Sequence, residues 1–386
     1  MECKQLFEII DSLSEKYTNI LMEACLRESP TAYKEGVDRC GEYFASLAGE
    51  LGFTVVKEPM DISGNPLSIT MNGDCPGKPL VLSGHIDTVH PVGAFGENGI
   101  YLKDGELHAP GAYDCKGGCV AALMAMEALS LAEYRSRPIK LILQSDEENS
   151  SCTSNKQTVD FMEREASGCV AFLNCEPSMV GEVTLTRKGI IRFELTVHGV
   201  AGHSSKCFNS KSAILEAAHK IIELEKWKDP EGITCSCGVI SGGTVANTVP
   251  EYCSFIFDVR YATKEQLEAV KARVEEIAKT SYTGGTTAAC KIVSERVAME
   301  HREVNERLVS EINRIYSLEK LPNVSPIFRF AGSDASDMTM RGIPTLDGFG
   351  VEGGYIHSVN EYARVASIAE AAKRMAAIAV HIDDNY

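Results

Sequence analysis

The sequence contains no uninterrupted apolar run of about 18 residues, the length that a helix needs to cross a bilayer. Its first residues, from Met1 to Phe7, carry acidic and polar side chains where a secretory signal peptide has an apolar stretch. From these two absences we expect a protein that is neither inserted in a membrane nor exported, and therefore a cytoplasmic location.

Positive charge is also scarce, since 38 lysines and arginines stand against 54 aspartates and glutamates and leave a formal net charge of −16. Proteins that bind nucleic acid or anionic lipid depend on basic patches that release counterions. We therefore expect no nucleic-acid partner and no membrane partner. Carboxylates that hold divalent cations add formal negative charge, so the balance is compatible with a metal site.

Internal repeats, low-complexity segments and long Pro/Gly/Ser linkers are missing too, which indicates a chain that is globular throughout. Its 386 residues exceed what one ordinary hydrophobic core organises, so we expect two domains. Cysteine, in contrast, is plentiful, but the 14 residues follow no repeated spacing. Scattered thiols in a chain of this length are typical of a reducing compartment, not of a disulfide scaffold.

Apolar segments of strand length alternate with segments of helical period in the first half of the chain, which predicts an α/β sheet covered by helices. After Gly181 the order becomes β-α-β-β-α-β, which is typical of a small ferredoxin-like domain. A helix, a strand and a closing amphipathic helix follow. We therefore predict one domain from residues 1–184 and 299–386, with residues 185–298 inserted as a second domain.

An apolar strand from Leu80 ends in His85-Ile-Asp87. Because side chains alternate along a strand, His85 and Asp87 project from the same face at its carboxyl end, where open α/β sheets place their sites. One of the two can bind a metal ion while the other holds it in place. By itself a His-x-Asp pattern is also compatible with a purely structural role.

Further ligand types follow apolar segments or lie in turns. Asp114 lies in a glycine-rich turn before a helix, a position that by itself favours an N-cap over a metal ligand. Three acids, of which Glu147 and Glu148 are the last two, end a strand, and their mutual repulsion calls for cations or protons. Glu176 follows another strand and His357 lies in a loop. Together they offer the ligands that a pair of zinc ions needs.

These segments resemble the M20 metallopeptidase family, in particular its carboxypeptidase G2-like branch. The matching motifs occur in order along nearly the whole chain: Ser-Gly-His85-x-Asp87-Thr-Val, Gly-x-x-Asp114-x-Lys-Gly-Gly, Asp-Glu147-Glu148, Glu176-Pro, Gly-x-x-x-His203-Ser-Ser, Gly-Gly-Thr-x-x-Asn247-x-Val-Pro, Asp-x-Arg260 and His357. The resemblance implies a zinc-peptidase-like mixed sheet between helices, with the inserted domain acting as a lid and in dimerisation.

The resemblance also implies a role for each residue. Asp114 would bridge two divalent ions, zinc first and cobalt or manganese as alternatives. His85 and Glu176 would complete one metal site, and Glu148 and His357 the other. Glu147 would act as general base, and Asp87 would orient His85.

The inserted domain would supply further groups. The resemblance implies that His203 reaches the active site of a second subunit in a homodimer. Asn247 and Arg260 would bind the free carboxylate of the substrate, although a surface ion pair is the alternative for Arg260. The segment of Gly332 and Ser333 would help to position the substrate.

The implied activity is hydrolysis of amide bonds in small peptides or N-acyl amino acids. Alternatives are a deacylase of the acetylornithine or succinyl-diaminopimelate type, a non-catalytic metal-binding assembly protein and, more remotely, a cysteine hydrolase.

Two features depart from the family pattern. Asn149 and Ser150 replace a glycine and a serine, and Cys115 follows Asp114, where its thiol is either a competing ligand or a small packing group.

Overall fold

The computed structural model describes residues 3–177, 179–229 and 232–386. Met1 and Glu2, the first residues of the segment in which a signal peptide was not expected, lie outside the described residues. The chain divides into two compact units. The large unit comprises Met1–Thr186, His301–Phe328 and Ser333–Tyr386. The inserted unit comprises Arg187–Glu300 and Arg329–Gly332.

The described residues form ten α-helices and eighteen strands. The helices are α1 (Cys3–Ser12), α2 (Ser14–Leu26), α3 (Lys34–Glu50), α4 (Lys116–Leu131), α5 (Gln157–Ala166), α6 (Ala213–Glu225), α7 (Lys264–Lys279), α8 (Glu303–Leu318), α9 (Asp334–Met340) and α10 (Ala366–His381). The strands are β1 (Thr54–Lys57), β2 (Leu67–Met71), β3 (Leu80–His85), β4 (Tyr101–Lys103), β5 (Glu106–His108), β6 (Ile139–Gln144), β7 (Ala171–Asn174), β8 (Glu182–Arg187), β9 (Gly189–His198), β10 (Gly202–His203), β11 (Thr234–Gly242), β12 (Thr248–Val249), β13 (Tyr252–Tyr261), β14 (Thr287–Arg296), β15 (Ser325–Arg329), β16 (Thr345–Asp347), β17 (Gly353–Gly354) and β18 (Tyr362–Arg364).

An eight-stranded sheet in the order β1-β2-β6-β3-β7-β16-β8-β15 forms the centre of the large unit. Its middle strands β6, β3, β7 and β16 are parallel, while β2 and β8 pair with them in the antiparallel sense. Every residue of β3 and β7 is buried, as expected for strands covered on both faces. The predicted mixed sheet between helices is therefore confirmed.

Helix α4 lies in the core of the large unit against β3, α2 and α10. It is buried from Lys116 to Leu129, because its sequence is apolar around the whole helix and not along one stripe. Gly118 allows the close approach, since a Cβ there would lie 2.0 Å from the main-chain oxygen of Cys175. The first turn of α4 therefore lies directly beside the end of β7.

The inserted unit has the predicted β-α-β-β-α-β order, with β9, α6, β11, β13, α7 and β14 in sequence. Its antiparallel sheet runs β11-β13-β9-β14, the arrangement of a ferredoxin-like fold. Inward residues of β9 and β13, such as Phe193, Phe255 and Phe257, pack with α6 and α7 in a core of their own. The unit thus has its own hydrophobic core.

Among the described residues, no helix combines the length and the apolar composition that crossing a bilayer requires.

Candidate metal centre

The parallel strands β3, β6 and β7 end at the same edge of the large sheet, because neighbouring parallel strands share one direction. His85 is the last residue of β3. Glu147 and Glu148 lie in a turn of 3₁₀ helix that follows β6, and Glu176 lies two residues beyond β7. The sheet topology therefore brings an imidazole and three carboxylates from distant parts of the sequence to one edge.

The carboxylate of Asp114 faces a different histidine with each of its oxygens. Oδ1 lies 3.1 Å from Nε2 of His85, and Oδ2 lies 3.1 Å from Nε2 of His357. The N-cap of α4 is Cys115, which makes no capping hydrogen bond with its side chain. The alternative interpretation of Asp114 as a helix cap is therefore wrong, and its carboxylate is oriented to bridge two ligand sets.

Each ligand set contains one further carboxylate. Glu176 Oε1 lies 3.7 Å from Nε2 of His85, and Glu148 Oε2 lies 3.2 Å from Nε2 of His357. Donor atoms bound to one tetrahedral zinc at about 2.0–2.1 Å are separated by about 3.3 Å, so these distances suit ligands of shared cations. The donor set of two imidazoles and three carboxylates fits two divalent ions.

Two carboxylates of the cluster have raised pKa values, because they are buried near other carboxylates. Burial raises the pKa of Glu148 to about 8 and raises that of Glu176 well above its ordinary value. Hydrogen bonds that the His357 imidazole donates to Asp114 and Glu148 raise the pKa of His357 to about 10. Without cations the cluster retains protons, which is the behaviour expected of groups that exchange protons for metal.

One side of the cluster is accessible. The side chains of His85, Asp114, Glu148 and Glu176 are at most 10% exposed, whereas that of His357 is 51% exposed. His357 also has a backbone φ of 61°, in the left-handed region that few histidines adopt. The loop after β17 therefore holds the backbone of His357 in an unusual conformation at the open side of the cluster, as is common at functional sites.

Asp87 connects the end of β3 to the turn after β6. Its carboxylate accepts hydrogen bonds from the main-chain nitrogens of Glu147 and Glu148, each at 3.1 Å, and from the hydroxyl of Thr31 at 2.7 Å. Its main-chain oxygen accepts from Nδ1 of His85 at 3.1 Å, and this bond leaves Nε2 for a metal ion. Asp87 thus makes hydrogen bonds to the histidine and to the main chain of both glutamates.

We expect Asp87→Asn to weaken metal binding about 10- to 100-fold, because an amide nitrogen cannot accept the hydrogen bond of Glu147 or Glu148. Metal titration by calorimetry measures this. Asp146→Asn is the matched control, since Asp146 belongs to the same turn but accepts hydrogen bonds from Ser154 and Thr158. Equal metal affinity in the wild type and the Asp87 variant would contradict the positioning role.

Glu147 is buried, with 8% of its surface exposed. Its charge is among the causes that raise the pKa values of Glu148 and Glu176. Its role as general base stays a prediction.

Sequence reasoning missed one functional residue, Glu361. This glutamate is buried, and its Oε1 accepts hydrogen bonds from the main-chain nitrogens of Tyr113 and Asp114 at 3.0 and 3.1 Å. These two hydrogen bonds hold the turn that carries the carboxylate of Asp114. The signal was weak, because a glutamate four residues after His357 has no strand or helix pattern around it.

Cys115 is a buried thiol that donates a hydrogen bond to the main-chain oxygen of Cys175 at 3.1 Å. Burial raises its pKa well above the ordinary value, which favours the packing interpretation. Its sulfur nevertheless lies within 4.8 Å of donor atoms of His85 and Glu176. Asn149 and Ser150 form the other segment that differs from the family pattern. The side chain of Asn149 makes hydrogen bonds within its own loop, to the main-chain nitrogen of Cys152 and to the hydroxyl of Thr153.

Ser333 belongs to the large unit and is the N-cap of α9. Its hydroxyl donates to Asp347 at 2.5 Å and accepts from the main-chain nitrogen of Ala335 at 3.3 Å. A cap with these two bonds explains the serine structurally. Its predicted contact with substrate stays a prediction.

The other four candidates belong to the inserted unit. β10 pairs with β12, and the main-chain nitrogen of Ser204 donates to the main-chain oxygen of Asn247 at 2.9 Å, so His203 and Asn247 are neighbours there. Arg260 binds Asp258 through Nε at 2.6 Å and the main-chain oxygen of Phe330 through a terminal nitrogen at 3.4 Å. A Cβ on Gly332 would meet Arg296 at 2.8 Å. Their roles toward substrate stay predictions.

Comparison with known proteins gives consistent matches. Residues 81–381 match the family model described as Peptidase family M20/M25/M40. Carboxypeptidase G2 of a Pseudomonas strain is 25% identical over 92% of this chain and 90% of its own length. Acetylornithine deacetylase of Myxococcus xanthus is 30% identical over 68% and 69%. The crystal structure of aminopeptidase PepT from Bacillus cereus is 22% identical, covers 95% of this chain and 97% of its own, and has a TM-score of 0.78.

Proposed function

We propose, from the premise that this chain belongs to peptidase family M20/M25/M40, that it cleaves the amide bond of small peptides or N-acyl amino acids bearing a free carboxylate. Family membership makes the chain a hydrolase of amide bonds. The observation that carries the proposal is the carboxylate of Asp114, whose two oxygens face His85 and His357. A carboxypeptidase-like activity is preferred because the match to carboxypeptidase G2 extends over 92% of this chain.

Two divalent ions are the proposed cofactors, zinc first and cobalt or manganese as alternatives. His85, Asp114 and Glu176 would hold one ion, and Asp114, Glu148 and His357 the other. When bound, the ions supply positive charge that makes a water molecule more acidic and stabilises the oxyanion of the substrate.

Glu147 is the proposed proton carrier. Its carboxylate accepts a proton from the attacking water and later gives that proton to the nitrogen of the departing amine. Asp87 supports this step, because it binds the main-chain nitrogen of Glu147 and so fixes the turn from which the carboxylate extends. A non-catalytic binding protein, the alternative from another class, has no need of this glutamate.

Arg260 and Asn247 are the proposed ligands of the substrate carboxylate. The Nε edge of Arg260 is held by Asp258, which orients the terminal nitrogens of the guanidinium. A planar guanidinium binds a carboxylate through two parallel hydrogen bonds. Gly332 and Ser333 are proposed to help position the rest of the substrate.

We expect Arg260→Ala to lower kcat/KM about 10- to 100-fold for substrates with a free carboxylate, because a charged hydrogen bond contributes about 1.5–3 kcal/mol. For the same substrates with an amidated C-terminus, Arg260→Ala and the wild type should have equal kcat/KM, because the carboxylate that Arg260 is proposed to bind is absent. Arg192→Ala is the matched control, since Arg192 binds the same Asp258 from the neighbouring strand at 2.9 Å. An equal loss for the free and the amidated substrate would contradict carboxylate binding by Arg260.

A panel of dipeptides, tripeptides and N-acyl amino acids tests the function as a whole. Peptidase activity predicts turnover of peptides with a free C-terminus and loss of turnover after metal removal by EDTA. Turnover of N-acetyl or N-succinyl amino acids alone would favour the deacylase, an activity named for the Myxococcus xanthus relative. Activity that survives complete metal removal would favour a cysteine hydrolase instead.

A homodimer through the inserted unit is proposed for the native assembly. Strand β11 is an edge strand, and its residues Val239 and Ile240 are 57% and 53% exposed. Helix α6, which packs beside β11, exposes Leu215 and Ile222 to 51% and 53%. A second copy would cover these apolar side chains and pair the open strand edge.

We expect His203→Ala to impair catalysis without loss of metal, because His203 is proposed to act in the site of the partner subunit. Mixing this variant with Glu147→Gln should restore about a quarter of the wild-type activity, since half of the exchanged dimers contain one intact site. Activity after subunit exchange, verified by mass spectrometry, measures the effect. Absence of recovery in verified hybrids would place the action of His203 within its own chain.

A cytoplasmic location is proposed on the basis of the thiols. All 14 cysteines are free, and several are buried in the core. Unpaired thiols in this number are typical of a reducing compartment.

A further inference from the structure

Three side chains of the kinds that bind metal ions lie close together at the start of α1 and at the ends of α8 and α10. Cys3 is the first residue of α1, Glu319 directly follows α8, and His381 is the last residue of α10. Sγ of Cys3 lies 3.5 Å from Nε2 of His381, which lies 2.7 Å from Oε1 of Glu319. One donor atom from each residue lies within 4.8 Å of the other two.

The geometry of this cluster is close to that of a zinc site. Tetrahedral zinc binds thiolate sulfur at about 2.3 Å and imidazole nitrogen at about 2.0–2.1 Å, which places the two donors about 3.5 Å apart. This is the observed distance between Cys3 and His381. The carboxylate of Glu319 needs to withdraw by a few tenths of an ångström, which a flexible side chain allows.

The charges around the cluster favour a cation. Glu319 is the C-cap of α8, where the negative end of the helix dipole repels a carboxylate. Burial and the nearby Glu319 raise the pKa of the Cys3 thiol, and a bound cation would lower it again. Arg314, a nearby cation, already binds Glu311 through two nitrogens and the main-chain oxygen of His381. A divalent ion would compensate both negative ligands at once.

The cluster is also reachable from solvent. The side chains of His381 and Glu319 are 23% and 18% exposed, whereas Cys3 is 1% exposed. An ion can therefore approach from the side of the histidine and glutamate and still have a buried sulfur ligand. Three protein ligands leave one position of a tetrahedral ion for water.

We propose that Cys3, Glu319 and His381 form a further divalent-cation site, selective for zinc, that ties α1 to the ends of α8 and α10. The donor set of thiolate, imidazole and carboxylate favours zinc over magnesium, calcium and manganese. The role is structural, because the three ligands belong to three helices whose ends the ion would hold together. The site uses none of the residues around Asp114 and is independent of the proposed hydrolysis.

Cobalt substitution tests the proposal, because a thiolate bound to cobalt gives a charge-transfer absorption in the near ultraviolet. Metal-free full-length protein, kept reduced, is titrated with cobalt chloride. We expect the absorption in the wild type and its loss in Cys3→Ser. Cys169→Ser is the matched control, since Cys169 is a buried thiol of the same unit whose donor atom belongs to none of these clusters.

Cys115→Ser separates this site from the centre at Asp114. If the absorption disappears in Cys115→Ser and persists in Cys3→Ser, the thiolate ligand is Cys115 and the proposal is wrong. Cobalt binding without any thiolate absorption would likewise overturn it.

A second variant guards against misfolding of Cys3→Ser. Glu319→Gln keeps the shape of the side chain but removes its charge, and we expect it to weaken zinc binding at this site about tenfold or more. Zinc should then raise the unfolding temperature of the wild type more than that of Glu319→Gln. Equal stabilisation of both proteins would contradict a zinc site at these helix ends.

Discussion

Glu147→Gln is expected to lower turnover about 10²- to 10⁴-fold, the contribution of a positioned general base, without loss of bound metal. Glutamine has the same shape and preserves the main-chain hydrogen bond to Asp87, so the turn after β6 should keep its structure. The amide cannot accept a proton from water, and only the proton transfer is removed. Steady-state kinetics with metal analysis of the same sample measures both quantities.

Glu148→Gln is the matched control, because the two glutamates are adjacent in one turn. Glu148 faces His357 at 3.2 Å and is proposed as a ligand, so its variant should lose metal as well as activity. The contrast between the neighbours separates a base from a ligand. Full turnover in the Glu147 variant would reject the proposed base.

Asp114→Asn is expected to abolish the binding of both metal ions and, with it, activity. Its two oxygens each lie 3.1 Å from a different histidine, and an asparagine replaces one of these acceptors with a donor. The remaining oxygen is neutral and binds divalent ions more weakly than a carboxylate. Metal content after dialysis, determined by mass spectrometry, gives the stoichiometry directly.

Single-histidine variants provide the comparison for Asp114. His85→Ala and His357→Ala should each weaken one ion more than the other, whereas the Asp114 variant should weaken both. His108→Ala is the matched control, since His108 is a histidine of the same unit that belongs to neither ligand set. Retention of one tightly bound ion by Asp114→Asn would exclude a shared bridge.

Elements with clear signals at both ends were predicted closely from the sequence. Helix α7 is an example, because Thr263 caps its first turn and an amphipathic pattern extends to Lys279. The four-stranded sheet of β17, β18, β5 and β4 was missed, because its strands have only two or three residues. Such short strands show no alternation, and only tertiary packing defines them.

The candidate centre shows the same division. The strand ends at His85, Glu148 and Glu176 were predictable, because apolar strands give the direction in which polar residues follow. The orientation of Asp114 was not predictable, since an acid before a helix by itself favours a cap. Glu361 was also inaccessible to sequence reasoning, because it acts on main-chain nitrogens that lie far from it in the chain.

The residues that surround Asp114 lie on both sides of the inserted unit in the sequence. During synthesis His85, Asp114 and Glu176 are made before the inserted unit, whereas His357 is made after it. The two histidines that face Asp114 therefore become available to it at different times, and the second one only when the whole inserted unit has been made.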